Sequence, residues 1–298
     1  MSGPSGISEE VRAALAGGGA VVALETSVLA QGLPPPRNVE AAERMTTAVR
    51  STGSIPAWIG VVDGELRVGL TEAELQRFCD PEGIAKVARR DLPMAVAGGG
   101  LGATTVSSTI WAARAAGIAV AATGGIGGVH PRSGDVSADL LELASTSILL
   151  VCSGPKSIVD PVATAERLEE LGVTVVGYRV ERLPFFLARG SEVELEHRVD
   201  SAAEAAALAS AHRRLGVEAV VLLCNPVPAS HAMDADRVAE AVRRCEARAE
   251  RGAVRGKALT PFLLSCLAEE TGGASLEANL ALLESNAALA GEITAATL

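Results

Sequence analysis

The sequence predicts an α/β protein of layered architecture around a mixed, largely parallel sheet. Short apolar runs alternate along the chain with longer amphipathic stretches rich in Ala and Leu. Several of those runs are continuously apolar, as strands covered on both faces must be. The turn Asp63-Gly64 joins two apolar runs as a hairpin, which puts an antiparallel pair into the sheet.

The elements follow in order. A run at 20–24 predicts the first strand, and the amphipathic stretch 39–50 a helix. Strand 58–62 turns at Asp63-Gly64 into a return strand at 66–70. A strand is expected at 94–97, then a helix over 104–115 and a strand over 118–122. Helix 137–144, strand 147–152, helix 161–171 and strand 174–178 continue the alternation. The polar stretch 192–199 reads as a further strand, which adds to the expectation of a mixed sheet. Helix 202–215, strand 219–224 and helix 234–251 follow, and 260–297 reads as two helices parted by Thr271-Gly272-Gly273. With no internal repeat and no low-complexity linker, residues 1–298 are expected to form one domain.

Composition narrows the function classes. Of 298 residues 48% are hydrophobic and 21% charged, a globular balance rather than a disordered one. The formal charge of −10 argues against a broad nucleic-acid or anionic-membrane surface, while leaving room for a local basic pocket. Aromatic residues at 2% argue against gripping nucleotides by base stacking. The five cysteines are scattered and contain no CxxC pair, so neither a disulfide framework nor a zinc site is expected. Cys152 and Cys224 end apolar runs and read as reduced core thiols. The N-terminus lacks a basic segment followed by an apolar one, and no apolar run approaches the roughly 18 residues of a membrane span. A soluble cytoplasmic protein is the expectation. Nucleophile-elbow, P-loop and H-E-x-x-H motifs are absent, and His197, His212 and His231 are given no chemical role.

Only three of the 26 basic residues are lysines: Lys86, Lys156 and Lys257. In a chain so biased toward Arg, a Lys marks a place to ask whether guanidinium would fail chemically, because an amine can lose its proton and attack carbon. Surface survival by chance is the competing reading.

Four loops stand where strands end, the place where open α/β sheets gather ligands. In the first, Glu25 ends an apolar strand, and is either an acid/base group at a pocket rim or a solvated strand end. The second, 98–108, is rich in glycine and hydroxyls and suits an anion or merely a tight turn; its spacing does not fit G-x-G-x-x-G. The third, 123–130, carries four glycines and His130, and is followed by Asp135 and Asp139, four residues apart and expected on one helix face. Such carboxylates suit Mg²⁺ or Mn²⁺ that keeps its waters, although Asp135 also suits an N-cap and Asp139 a solvated face. The fourth places Lys156 after strand 147–152, at the expected start of the next helix, whose positive end would favour a neutral amine. An imine-forming nucleophile, a phosphate ligand and a surface Lys all remain open there. Lys86 belongs to a basic cluster, 86–91, that suits a phosphate or simply a solvated face.

Read together, the segments LETSVLAQGLPPPRN, AKVARRDLP, GATTVSST, ATGGIGGVH, DVSADL, GPKSIVD, NPVP, TPFLL and SNAALA resemble the pseudouridine-5′-phosphate glycosidase family, also called indigoidine synthase A-like proteins. The resemblance runs over residues 21–289. It implies a three-layer α/β/α sandwich, a homotrimer, and reversible cleavage of the C–C glycosidic bond of pseudouridine 5′-phosphate to uracil and ribose 5-phosphate. A C–C bond offers no leaving-group oxygen to protonate, so the two-carboxylate scheme of O-glycosidases does not transfer unchanged. By resemblance Lys156 is the nucleophile that forms an imine with the opened sugar, and Glu25 the proton donor to the uracil carbon. Asp135 matches a Mn²⁺ ligand, with Mg²⁺ an alternative of similar oxygen preference. Lys86, Val106 and Ser137-Ala138-Asp139 match substrate-binding positions. His130 and Asp139 are implied near the ring-opening step, and Asn286 as a uracil contact.

The chain departs from the family pattern at Thr26-Ser27 and at Gln31, where the family has His. It departs also in His130-Pro131-Arg132 with a shorter loop before Asp135, and at Ser285. An imine-forming enzyme acting on another phosphosugar or base, and a non-catalytic phosphosugar-binding protein, are the competing expectations.

Overall fold

The computed structural model describes residues 4–80, 82–131 and 134–297. Among these, eleven strands share one sheet: β1 (Gly6–Ile7), β2 (Val21–Glu25), β3 (Ile55–Val62), β4 (Glu65–Val68), β5 (Ala85–Val87), β6 (Gly102–Thr104), β7 (Val120–Ala122), β8 (Leu149–Cys152), β9 (Thr174–Tyr178), β10 (Arg198–Val199) and β11 (Val221–Cys224). Their order is β1-β4-β3-β2-β7-β8-β11-β9-β10, with β6 against β3 and β5 against β6. The pairs β3–β4 and β3–β6 are antiparallel; the central pairs β2–β3, β2–β7, β7–β8 and β8–β11 are parallel.

The helices are α1 (Glu9–Ala16), α2 (Arg37–Ser51), α3 (Glu72–Arg77), α4 (Leu92–Gly98), α5 (Val106–Ala115), α6 (Ala138–Leu143), α7 (Pro161–Glu170), α8 (Ala202–Leu215), α9 (Ala235–Arg251), α10 (Leu259–Glu270) and α11 (Ala274–Ala295). Strand periodicity divides them into two layers. Val22 and Leu24 of β2, Leu149 and Val151 of β8, and Val221 and Leu223 of β11 pack with Met45 of α2, Val238 of α9 and Leu283 of α11. Their neighbours in sequence, Val21, Ala23, Leu150, Cys152, Leu222 and Cys224, face the other way, onto Ile110 of α5, Leu143 of α6 and Leu168 of α7. Both faces are covered, which explains the continuous apolar runs and gives the three-layer sandwich. No helix among the described residues is long and apolar enough to cross a membrane.

Three expectations are corrected here. Residues 94–97 are not a strand but the middle of α4, with Met94 77% and Val96 39% exposed. Pro93 in its first turn and the left-handed Gly99 cap mark a short helix, and the strand on that stretch is β6, farther on. The polar stretch 192–199 contributes only β10, and it runs parallel to β9. The mixed character of the sheet comes instead from β4, as the Asp63-Gly64 turn predicts, and from β6.

The third correction concerns cysteine. Cys245 of α9 and Cys266 of α10, both buried, are joined as a disulfide. Their wide spacing in sequence is spanned because the two helices form an antiparallel hairpin, which Arg244–Glu270 and Arg248–Glu269 ion pairs also stitch. Cys152 and Cys224 are, as expected, free and buried, register partners on β8 and β11. A hydrogen bond with Cys152, together with burial, pushes the Cys224 thiol well above its ordinary range.

Candidate functional site

The carboxyl ends of β2, β7 and β8 lie side by side and open into a cavity of about 160 Å³. Glu25 closes β2 and is 3% exposed. Its two oxygens accept hydroxyl hydrogen bonds, one from Ser27 at 2.6 Å and one from Thr123 at the end of β7. The carboxyl is thereby oriented with no guanidinium or ammonium bonded to it among the described residues. Ser27 supplies one of the two hydroxyls of the Thr26-Ser27 pair. The other, Thr26, turns inward to the Ile59 carbonyl.

The glycine loop 124–128 lines one wall because nothing larger fits. A Cβ on Gly127 would lie 2.2 Å from Ser137 Oγ. Asp139 fixes this wall: one carboxylate oxygen accepts the Gly127 N–H at 3.0 Å, the other the Ser107 N–H at 3.1 Å in the first turn of α5. Ser137 caps α6 through the Asp139 N–H. Val106, Ser137, Ala138 and Asp139 all line the cavity.

Asp135 and Asp139 do not share a helix face, because α6 begins only at Ala138. Asp135 stands exposed at the rim, its carbonyl accepting the His130 N–H, while Asp139 is buried and occupied by backbone donors. Arg132, part of the altered segment after His130, lies outside the described residues. His130 is nearly buried, and burial pushes its pKa below the ordinary imidazole value; Asp135 pulls the other way, and Lys86 and Lys156 add to the lowering. The balance of these effects favours the neutral imidazole.

Lys156 sits in a turn after β8, not at a helix start; α7 opens only at Pro161, with Asp160 as its cap. The macrodipole expectation fails for that reason. What positions Lys156 is its N–H bonded to the Ile126 carbonyl at 3.0 Å and the bridge between Ile126 and Pro155. Gly154, just before, has φ of +76°, and a Cβ there would lie 1.9 Å from the Pro184 carbonyl oxygen. Gly154→Ala should therefore destabilise the fold by at least about 2 kcal/mol and displace Lys156. Urea unfolding, together with titration of the accessible amine, checks both effects.

Lys86, on β5, points its amine into the same cavity. Burial lowers its pKa, and repulsion from Lys156 lowers it further, against the pull of Asp139 and Glu25. Neither the Lys86 nor the Lys156 amine has a hydrogen-bond acceptor among the described residues. Of the neighbouring arginines, Arg90 lines the cavity, whereas Arg89 turns away to Glu142 and the Trp111 ring.

Asn286 does not line the cavity. It is fully buried beneath the glycine loop, donating to the Thr123 carbonyl at 2.8 Å and accepting from Asn225 at 3.0 Å. Ser285 accepts the same Asn225 amide. Two turns earlier on the same face of α11, Asn279 does line the cavity, with a buried, unpartnered amide oxygen. Gln31 likewise lines it with an unpartnered oxygen. Sequence reasoning passed over Asn279, which stands in an Ala- and Leu-rich helix with no local signal. It noted Lys257 only for its rarity, yet all three lysines of the chain line this one cavity.

The cavity thus gathers a held carboxyl, two amines without acceptors among the described residues and the start of α5. It is equipped to take an anionic, carbonyl-forming ligand. Comparison with known proteins agrees. The family model for indigoidine synthase A-like protein matches residues 10–296. Proteins named pseudouridine-5′-phosphate glycosidase are 47% identical in Herpetosiphon aurantiacus, covering 97% of each chain. In Sorangium cellulosum the figure is 48%, covering 97% of this chain and 92% of the relative. Among solved structures, the prealnumycin C-glycosynthase AlnA in complex with ribulose 5-phosphate is 41% identical with a TM-score of 0.89, covering 98% and 96%. An indigoidine synthase A-like protein from Thermotoga maritima is 40% identical with a TM-score of 0.87, covering 93% and 92%. The chain belongs to the indigoidine synthase A-like family, the pseudouridine-5′-phosphate glycosidases.

Proposed function

We propose that this protein catalyses reversible cleavage of pseudouridine 5′-phosphate to uracil and ribose 5-phosphate through an imine on Lys156. One observation carries the reading: a hydroxyl-bonded carboxyl and an amine with no acceptor among the described residues line one cavity that also holds Lys86 and the start of α5. The relatives' names, and ribulose 5-phosphate in the AlnA structure, support the substrate class.

In the cleavage direction, the Lys156 amine adds to the anomeric carbon as the ring oxygen leaves and takes a proton. The C–C bond then breaks, its electron pair going to uracil C5, which is protonated by the Glu25 carboxyl. The nitrogen lone pair forms the C=N bond. Water adds to the imine, ribose 5-phosphate departs, and the Lys156 amine is restored. Lys86 holds the phosphate beside the start of α5. Asp139 keeps that helix start and the glycine loop in place, and neutral His130 stands ready to exchange a proton with sugar oxygens.

Among the described residues no three imidazoles, thiols or carboxylates gather as a metal cluster. A protein-built cage does not fit; a hard cation keeping most of its waters on the exposed Asp135 carboxylate does. Asp135 would hold Mn²⁺ or Mg²⁺, which when bound supplies positive charge for a phosphorylated ligand. A homotrimer is part of the same proposal, on the family resemblance.

A second reading, an imine-forming enzyme that joins another base to a phosphosugar, is favoured by the similarity to a C-glycosynthase. Incubation with ribose 5-phosphate, uracil and Mn²⁺, followed by chromatography and mass analysis, decides between them. Pseudouridine 5′-phosphate that disappears with EDTA and returns with Mn²⁺ is the expected result. No product, with ribose 5-phosphate still trapped on Lys156 by borohydride, would sink the uracil assignment and favour the second reading.

A further inference from the structure

We propose that Lys257 is a further anion-binding residue of this cavity, held on Asp91 when the site is empty and transferred to the sugar phosphate when it fills. The inference rests on the phosphosugar reading above.

Lys257 lies in the single helical turn Gly256–Ala258 that joins α9 to α10, and Gly256, Lys257, Thr260 and Pro261 line the cavity. Its amine is 2.8 Å from one Asp91 carboxylate oxygen and 3.3 Å from the Lys86 carbonyl oxygen. It thus stands next to the backbone of the strand that carries the buried lysine.

The pair with Asp91 is easily exchanged. The two side chains are 52% and 24% exposed, and ion pairs so open to water contribute little. Asp91 also accepts the Ala88 N–H at 3.0 Å, so its carboxylate keeps a donor when Lys257 leaves. Burial alone would raise the Asp91 carboxyl, but the bonds from Lys257 and Ala88 outweigh it and hold it below its ordinary value. Carboxylate and phosphate are interchangeable partners for the ammonium.

The cavity itself supplies the reason to exchange. Lys86 and Lys156 bring two amines without acceptors among the described residues, and Lys257 adds to the repulsion felt by Lys86. A phosphate dianion near Lys86 relieves that repulsion and offers Lys257 a second acceptor. The residue type fits as well. In a chain with 23 arginines and three lysines, a guanidinium here would lock onto Asp91 through its planar fork, whereas an ammonium turns between acceptors. The hairpin need not move, since the Cys245–Cys266 bridge and its ion pairs hold α9 and α10 together. Only the four-carbon side chain reorients.

Calorimetric titration of wild type, Lys257→Met and Asp91→Asn with ribose 5-phosphate, inorganic phosphate and unphosphorylated ribose tests this. Lys257→Met should weaken both phosphate ligands roughly 10- to 100-fold and leave ribose unchanged. Asp91→Asn, which frees Lys257, should bind phosphate as tightly as wild type or more tightly. If Lys257 is only a structural latch, Asp91→Asn will lose affinity in parallel with Lys257→Met, and the proposal is wrong. Unchanged phosphate affinity in Lys257→Met overturns it too. A wild-type protein that binds no ribose 5-phosphate overturns the phosphosugar reading along with it, so the two failures are distinct.

Discussion

Lys156→Ala is expected to lower turnover by on the order of 10³-fold or more while leaving the fold intact. The amine has no acceptor among the described residues, and Lys156 is held by its backbone N–H to Ile126. Removing the side chain therefore takes away a nucleophile without unmaking a structural contact. Lys156→Arg sharpens the test, since guanidinium preserves the positive charge but cannot be deprotonated to attack carbon. Both variants should lose turnover and lose the borohydride-trapped ribose 5-phosphate adduct seen by mass in the wild type. Activity in Lys156→Arg near that of wild type would show that the residue serves as a charge and that no imine forms on it.

Glu25→Gln should cost roughly 10²- to 10⁴-fold in product formation, by a different route. The amide keeps the size of the carboxyl and an oxygen for the Ser27 hydroxyl, but cannot deliver a proton to carbon. The sugar half of the reaction stays available: ribose 5-phosphate should still be trapped on Lys156 while no C–C bond to uracil is made or broken. Trapping without turnover separates the proton donor from the nucleophile. Loss of both in Glu25→Gln, with an unchanged melting temperature, would mean that Glu25 acts in imine formation instead.

Much of this was legible because the central strands carry it. The apolar runs of β2, β8 and β11 are buried on both faces, and a polar residue at their ends, Glu25 or the segment reaching Lys156, stands out against them. Where the sequence misled, tertiary context overrode a local pattern. Met94 and Val96 form an apolar run of strand length, yet they sit in a solvent-facing turn of helix closed by Gly99. Asp135 and Asp139 have helical spacing, yet the helix begins between them. Asn286 and Asn279 lie on one face of α11, and only packing distinguishes the one under the glycine loop from the one in the cavity wall. Lys257 and Asp91 are distant in sequence and meet only because the turn between α9 and α10 lies against β5 and the residues that follow it, so composition could mark Lys257 as rare but not say where it goes.

The bridge between Cys245 and Cys266, 21 residues apart, turns the segment between them into a covalent ring. Arg251, Arg255 and Lys257 lie exposed within that ring, sites where a trypsin-like protease would cut. A single cut there does not divide the molecule. The nicked chain should migrate as one species on a denaturing gel without reductant and as two with it, and before denaturation the packed helices and the cavity wall they support remain tied together. Backbone integrity and integrity of the site are thus separable in this protein, and the disulfide is what separates them.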